Sequence, residues 1–275
     1  MRAIGLEWRG APPGLIDGAV LRADMLCALP DEELFPIRVN CGKDTFEIGE
    51  LFHVRPLGGT SPETLRIEGS ERFVRLASGM RSGRLEIEGH GGTLLGAGLL
   101  GGEIIVSGDV SHGACAGMIG GIVRIEGDAG DEVGGPLPGA RLGMQGGEVL
   151  VHGSAGACAA HRLRRGLIAI AGTAGPRPAL AMAAGTLIIG DGDLDEPGIG
   201  MSRGTVVGLS ARVDPPLGFA LDGTVRPVFW RVLARRLVSL AFPGAERSIE
   251  ASFRSFSGDL TALGRGEILY RLPGK

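Results

Sequence analysis

A period of 19 residues constrains this chain more than any other feature. A glycine precedes a short alternating segment at Gly83, Gly102, Gly121, Gly147, Gly166, Gly185 and Gly204, at spacings of 19, 19, 26, 19, 19 and 19. Apolar residues follow at the second and fourth positions: Leu85 and Ile87, Ile104 and Val106, Val123 and Ile125, Val149 and Val151, Ile168 and Ile170, Leu187 and Ile189. The seventh copy keeps Val206 but has Gly208, and an earlier copy, Leu65 and Ile67, lies 20 residues before the first. Such alternation marks a strand with one buried face. A glycine usually closes the strand, as at Gly69, Gly89, Gly108, Gly127, Gly153 and Gly172.

A second column runs three residues before each strand glycine: Met80, Leu99, Met118, Met144, Leu163, Met182 and Met201. Five of the seven methionines stand in it, and the residue before is small in six of seven copies. Large unbranched side chains, adaptable in shape, suit an interior ladder. One repeat cannot bury its own apolar face, but repeats stacked about 4.8 Å apart pair every strand on both sides and close a continuous core. The periodicity predicts an all-β protein, a parallel β-helix of seven to eight coils. The 26-residue interval holds seven extra residues around Gly130 to Gly139, read as a loop extruded from one corner.

Glycine makes up 50 of 275 residues, roughly 18% against a usual ~7%, and the repeat accounts for it. None of the 12 aromatic residues lies between Val74 and Gly218; a narrow cross-section has no room for large rings. The flanks are therefore read as covers for the exposed sheet edges. Residues 1–62 form an N-terminal β-rich cap with a short helical stretch near Asp31 to Leu34, residues 63–221 the repeat domain, and residues 222–275 a C-terminal helix and tail. The run Val228 to Phe242 predicts a helix of about 15 residues lying as a lid over the last coil.

A formal net charge of −3 argues against general binding to nucleic acid or anionic membrane. No signal peptide and no membrane span are expected, which places the chain in the cytoplasm. Cys27, Cys41, Cys115 and Cys158 form no Cys-x-x-Cys pair and read as reduced thiols. Only Lys43 and Lys275 are lysine, a compositional bias and not a chemical one.

The pattern of a glycine-flanked alternating strand followed by Gly-Met-x-Gly-Gly is best seen in GEIIVSG with GMIGG (Gly102 to Gly108, Gly117 to Gly121) and in GMQGGEVLVHG (Gly143 to Gly153). It resembles the glycine-repeat β-helix shared by the C-terminal domain of the glutamate synthase large subunit and by the C subunit of formylmethanofuran dehydrogenases. The lead-in LPDEELFPIRVNCG and FEIGELFHVR, Leu29 to Arg55, makes the latter the closer match. The resemblance implies a right-handed helix and a scaffold role. The chain is most like the C subunit of the bacterial formyltransferase/hydrolase complex, which moves formyl between tetrahydromethanopterin and a methanofuran-type carrier and releases formate. The alternative is the C subunit of a molybdenum or tungsten formylmethanofuran dehydrogenase. The expected partners are an amidohydrolase-like subunit, a dehydrogenase-B-like subunit and a formyltransferase subunit. Zinc, or molybdopterin in the alternative, is expected on those partners and no cofactor on this chain.

No catalytic, cofactor-binding or metal-ligating residue is expected here. His53, His90, His112, His152 and His161 show no His-x-x-x-His spacing, and single corner histidines do not make a metal site. The stretch Asp191 to Glu196 opens like a calcium loop, but Glu196 stands where glycine is needed and Ser202 where glutamate is needed. His112 and Cys115 lie three apart with no orienting acid in sight. Gly89 to Gly102 mimics a phosphate loop but lacks Gly-Lys-Ser/Thr. A polysaccharide-acting β-helix enzyme would want aromatic or acidic rows along a groove, and a hexapeptide acyltransferase would want 18-residue coils; neither pattern is present.

Overall fold

The computed structural model describes residues 2–11, 14–58, 63–210 and 217–273. The expected boundary at residue 62 and Lys275 lie outside them. The strands are β1 (Ile4–Trp8), β2 (Ile16–Asp17), β3 (Arg38–Cys41), β4 (Asp44–Glu47), β5 (Phe52–Pro56), β6 (Thr64–Glu68), β7 (Phe73–Val74), β8 (Arg84–Glu88) and β9 (Glu103–Val106). They continue as β10 (Ile122–Ile125), β11 (Glu148–Val151), β12 (Leu167–Ile170), β13 (Thr186–Ile189), β14 (Arg203–Gly208), β15 (Ala220–Val225), β16 (Phe253–Gly258) and β17 (Arg265–Arg271). The α-helices are α1 (Ala23–Leu26), α2 (Asp31–Leu34), α3 (Ile48–Leu51) and α4 (Val228–Ser239).

The protein is strand-rich and built around one 13-stranded sheet, in the order β15-β16-β17-β14-β13-β12-β11-β10-β9-β8-β6-β1-β5. From β6 to β14 every neighbouring pair is parallel, and the repeat positions stack in register: Leu65 on Leu85, Ile104 on Val123, Val149 on Ile168, Leu187 on Val206. The inward residues of this stack are fully buried.

Two further sets of backbone contacts join successive repeats. Parallel bridges link Val110 to Ala129, Ala129 to Ala155 and Ala155 to Ala174. In the methionine column the N–H after each ladder residue donates to the carbonyl of the ladder residue one repeat earlier: Ile119 to Leu99, Gln145 to Met118, Arg164 to Met144, Ala183 to Leu163. All seven ladder side chains are fully buried. The residue before is in the left-handed region at Gly79, Gly98, Gly117, Arg162, Ala181 and Gly200, which turns the backbone and explains the small residues there.

The extruded loop has the expected seven residues but lies further along the chain than the sequence suggests. Gly117 N–H donates to Gly135 O, and Gly143 N–H donates to Arg162 O. Residues 130–135 thus stay in the stack, and the seven added residues are Pro136 to Leu142.

The C-terminal helix also departs from expectation. It ends at Ser239, and it does not close the end of the stack. That end is covered by β17, which pairs in parallel with β14 and carries β16 and β15 antiparallel beyond it; β15 runs across the expected boundary between 221 and 222. Instead α4 lies on the outer face of the sheet. Trp230, Ala234 and Leu237 pack with Leu150, Leu167, Ala169, Ile188, Val207 and Leu269 in a second apolar cluster. Trp230 is fully buried and its Nε1–H donates to Ser248 O at 2.6 Å. Arg236 grips Glu148 with two bonds of 3.0 and 2.7 Å. Strands β11 to β13 are therefore apolar on both faces, whereas β8 to β10, beyond the helix, keep partly exposed outward positions such as Glu86 and Arg124.

At the other end β1 pairs in parallel with β6 and antiparallel with β5. Trp8 stacks near Phe52 and Phe73, with ring centroids 4.3 and 5.5 Å away. A four-stranded sheet, β4-β3-β2-β7, completes that flank.

Candidate functional site

The corners of the stack carry the polar chemistry. Along one corner an acceptor side chain in each repeat takes the N–H of its counterpart in the next. Asp109 N–H donates to His90 Nδ1 at 3.2 Å, Asp128 N–H to Asp109 Oδ1 at 2.8 Å, Ser154 N–H to Asp128 Oδ1 at 2.7 Å, and Thr173 N–H to Ser154 Oγ at 3.1 Å. These acceptors satisfy backbone donors on successive repeats. His90 is accounted for by this ladder, where sequence spacing showed only an isolated histidine.

His152 is mostly buried; its Nδ1 lies 2.6 Å from Glu126 Oε2, and its ring meets the edge of Phe242 at 6.4 Å. His53 is exposed on β5. The remaining two histidines, 49 residues apart, meet through one carboxylate. His161 Nδ1 lies 3.2 Å from Glu132 Oε1, and His112 Nε2 lies 3.8 Å from Glu132 Oε2. The link joins repeats on either side of Glu132, which sequence spacing does not reveal. The loop residues Pro136 to Arg141 border an open cavity of about 500 Å³, lined by His112, Glu132, Leu137, Arg141 and Arg162 among others. This cavity gathers a histidine, a carboxylate and two arginines at one place. It offers cationic and hydrogen-bonding groups, with the Thr93 hydroxyl also in its lining.

Cys115 does not join His112 there. It is fully buried, and burial pushes its thiol from the usual 9.0 up to about 12. Such a thiol stays protonated and inert near neutral pH. Burial likewise raises Cys27 to about 11, against a smaller opposing pull from Arg2, and all four cysteines are free and buried. Asp191 to Glu196 forms a polar corner, where Asp191 Oδ1 accepts from Gly192 N–H at 2.8 Å and Arg177 N–H donates to Asp195 O. Among the described residues no three His, Cys, Asp or Glu side chains are placed to hold a metal ion. The glycines from Gly89 to Gly102 serve stacking: a Cβ at Gly92 would lie 2.1 Å from Phe73 O. No helix follows them. Among the described residues no helix is long and apolar enough to cross a membrane.

No protein-family model matches the chain, and no curated protein does. Among solved structures it is similar to a chain in the crystal structure of the formyltransferase/hydrolase complex (FhcABCD) from Methylorubrum extorquens in complex with methylofuran. The identity is 34%, the TM-score 0.88, and the match covers 98% of this chain and 100% of the other. The chain belongs to the family of formyltransferase/hydrolase complex subunits. As a member of that family it resembles one part of a multi-subunit assembly.

Proposed function

We propose that this chain is the C subunit of a formyltransferase/hydrolase complex and acts as its non-catalytic scaffold. The observation that carries this is the match along nearly the whole chain to one chain of such a complex. On this reading the complex moves formyl between tetrahydromethanopterin and a methanofuran-type carrier and releases formate in the cytoplasm. Its chemistry resides on an amidohydrolase-like subunit, a dehydrogenase-B-like subunit and a formyltransferase subunit. The scaffold role is supported by how the repeat region spends its reactive groups: its two cysteines are buried, and each of its histidines lies against a carboxylate.

The same proposal gives the chain a coiled form. The three sets of inter-repeat contacts, at the strands, at the bridges and at the methionine column, fit a right-handed parallel β-helix with 19-residue coils, one sheet-like contact line per side. The repeats from β6 to β14 form this helix between an N-terminal cap and a C-terminal helix and tail. A coil of fixed cross-section offers long, rigid faces on which several subunits can be held at set distances.

The test is native purification of tagged full-length protein, with partners identified by mass spectrometry and the eluate assayed for formyl transfer and formate release. Recovery of a formyltransferase and an amidohydrolase-like protein with both activities is the expected result. Recovery of a molybdopterin subunit with iron–sulfur proteins, or of this chain alone, would sink the proposal.

A further inference from the structure

We infer that the corner bearing the Pro136–Leu142 loop docks an acidic segment of a neighbouring protein subunit, through Arg141, Arg162, Arg164 and Arg165. This rests on the complex-subunit reading above and deepens it by naming the contact.

The four arginines are exposed, and Arg141 and Arg162 line the same cavity. Gly143 N–H donates to Arg162 O at 2.9 Å, and Arg164 N–H donates to Met144 O at 2.8 Å; Arg141 is two residues before Gly143. The end of the loop is thereby stacked on the repeat that carries the other three. Among the described residues none of these four side chains has an ion pair or a hydrogen bond. Several arginines elsewhere are matched, as in Arg66 with Glu86 and Arg84 with Glu103 on the sheet, and Arg236 of α4 with Glu148. In a chain with 31 acidic and 28 basic residues, four unmatched guanidinium groups in one place are a local excess of positive charge. Glu132, the carboxylate that shares the cavity with Arg141 and Arg162, is already engaged by His112 and His161.

The chemistry and the shape select the partner. Guanidinium groups are planar forks that bind carboxylates through paired bonds. Arg164 and Arg165 lie outside the cavity lining, so the charge spreads beyond what one small anion can span. Ile119 and Leu142 are exposed, by 51% and 37%. Leu142 follows Arg141 directly, and Ile119 holds the place of Arg164 two repeats earlier, one step after its own ladder residue. Exposed aliphatic side chains among arginines are the composition of a protein interface and not of a free anion site. A peptide segment carrying Asp or Glu with an apolar residue nearby matches both features.

The test compares the tagged wild-type complex with one carrying R141E, R162E and R164E together. Purified at about 0.1 M salt, where such charges act over about 10 Å, the variant is expected to keep at least about tenfold less of one partner subunit. The melting of the full chain by itself should be unchanged, since all three side chains are exposed. A variant that keeps its full set of partners overturns the docking site while leaving the complex reading intact. A wild-type chain that recovers no partner overturns the complex reading first and the docking site with it. A second measurement needs no variant: phenylglyoxal labelling of wild-type protein, read by mass spectrometry. The four arginines should label freely in the full chain alone and be protected in the complex; equal labelling in both overturns the docking site.

Discussion

The tip of Met118 lies directly under Gly147: a Cβ built on Gly147 would stand 2.5 Å from Met118 Cε and 2.7 Å from Gly121 O. The same relation repeats between Met144 and Gly166, Leu163 and Gly185, and Met182 and Gly204. The two most regular columns of the sequence are therefore one device. A long side chain fills the space that the missing Cβ of the next repeat leaves open, and neither residue is free to change alone. Gly147 also has φ of +89°, outside the range that other residues adopt readily. Gly147→Ala should lower stability by about 2 kcal/mol or more through overpacking and backbone strain. Replacing Met118 and Met144 with Asp should abolish soluble expression, because a charge in a dry ladder has no partner. Urea unfolding measures the first change and yield of soluble protein the second; a double mutant with wild-type melting would refute the interior assignment.

Trp230 anchors α4 to the outer face of the sheet. Trp230→Ala should cost about 3–5 kcal/mol, the range for emptying a fully buried aromatic site. It should also uncover Leu167, Ile188 and Val207, so that binding of a dye specific for apolar surface rises before the main unfolding transition. A variant with unchanged unfolding midpoint and no added dye binding would show that the helix contributes little to the fold.

The buried thiols give the protein an alkaline limit. Cys115 has a usual pKa of 9.0 when exposed and about 12 in the fold. The unfolded chain therefore loses this proton first as pH rises. The stability tied to the protonated thiol is complete below about pH 9 and is lost progressively as pH approaches about 12. Cys115→Ala should flatten the decline of stability over that window, measured by urea unfolding at a series of pH values. At pH 8 the native protein should react with a thiol reagent far more slowly than the protein in guanidinium chloride; equal rates would mean that Cys115 is reached without unfolding.

Deleting Pro136 to Leu142 restores the 19-residue spacing between Gly121 and its counterpart, because Gly135 and Gly143 occupy successive places in the stack. The shortened chain should fold with a melting temperature within a few degrees of wild type, since removing a surface loop changes closure entropy only slightly. It should also lose Arg141 and Leu142 from the corner and hold its partner less tightly. Collapse of folding would show that the loop is part of the core; full retention of partners would make it a bystander.

Much of this protein is written in its repeats. Gly83 to Gly204 and the methionine column specify parallel strands in register, because a strand with one apolar face needs neighbours and identical spacing supplies them. The interior place of Met80 to Met201 and the short helix at Asp31 follow from local composition. What the linear order does not encode is which distant segments meet. The apolar outward residues of β11 to β13, in LIAI and TLII, are a legible sign that a second face is covered. That α4 covers it, and not the end of the stack, depends on where the tail can pack once β17 has taken the open edge of β14. The meeting of His112 and His161 at Glu132, and the gathering of Arg141 with Arg162, Arg164 and Arg165, arise because stacking brings residues one or two repeats apart to the same corner. Sequence alone determined the repeat unit; the tertiary stack decided the sites, since a corner exists only where several repeats are superposed.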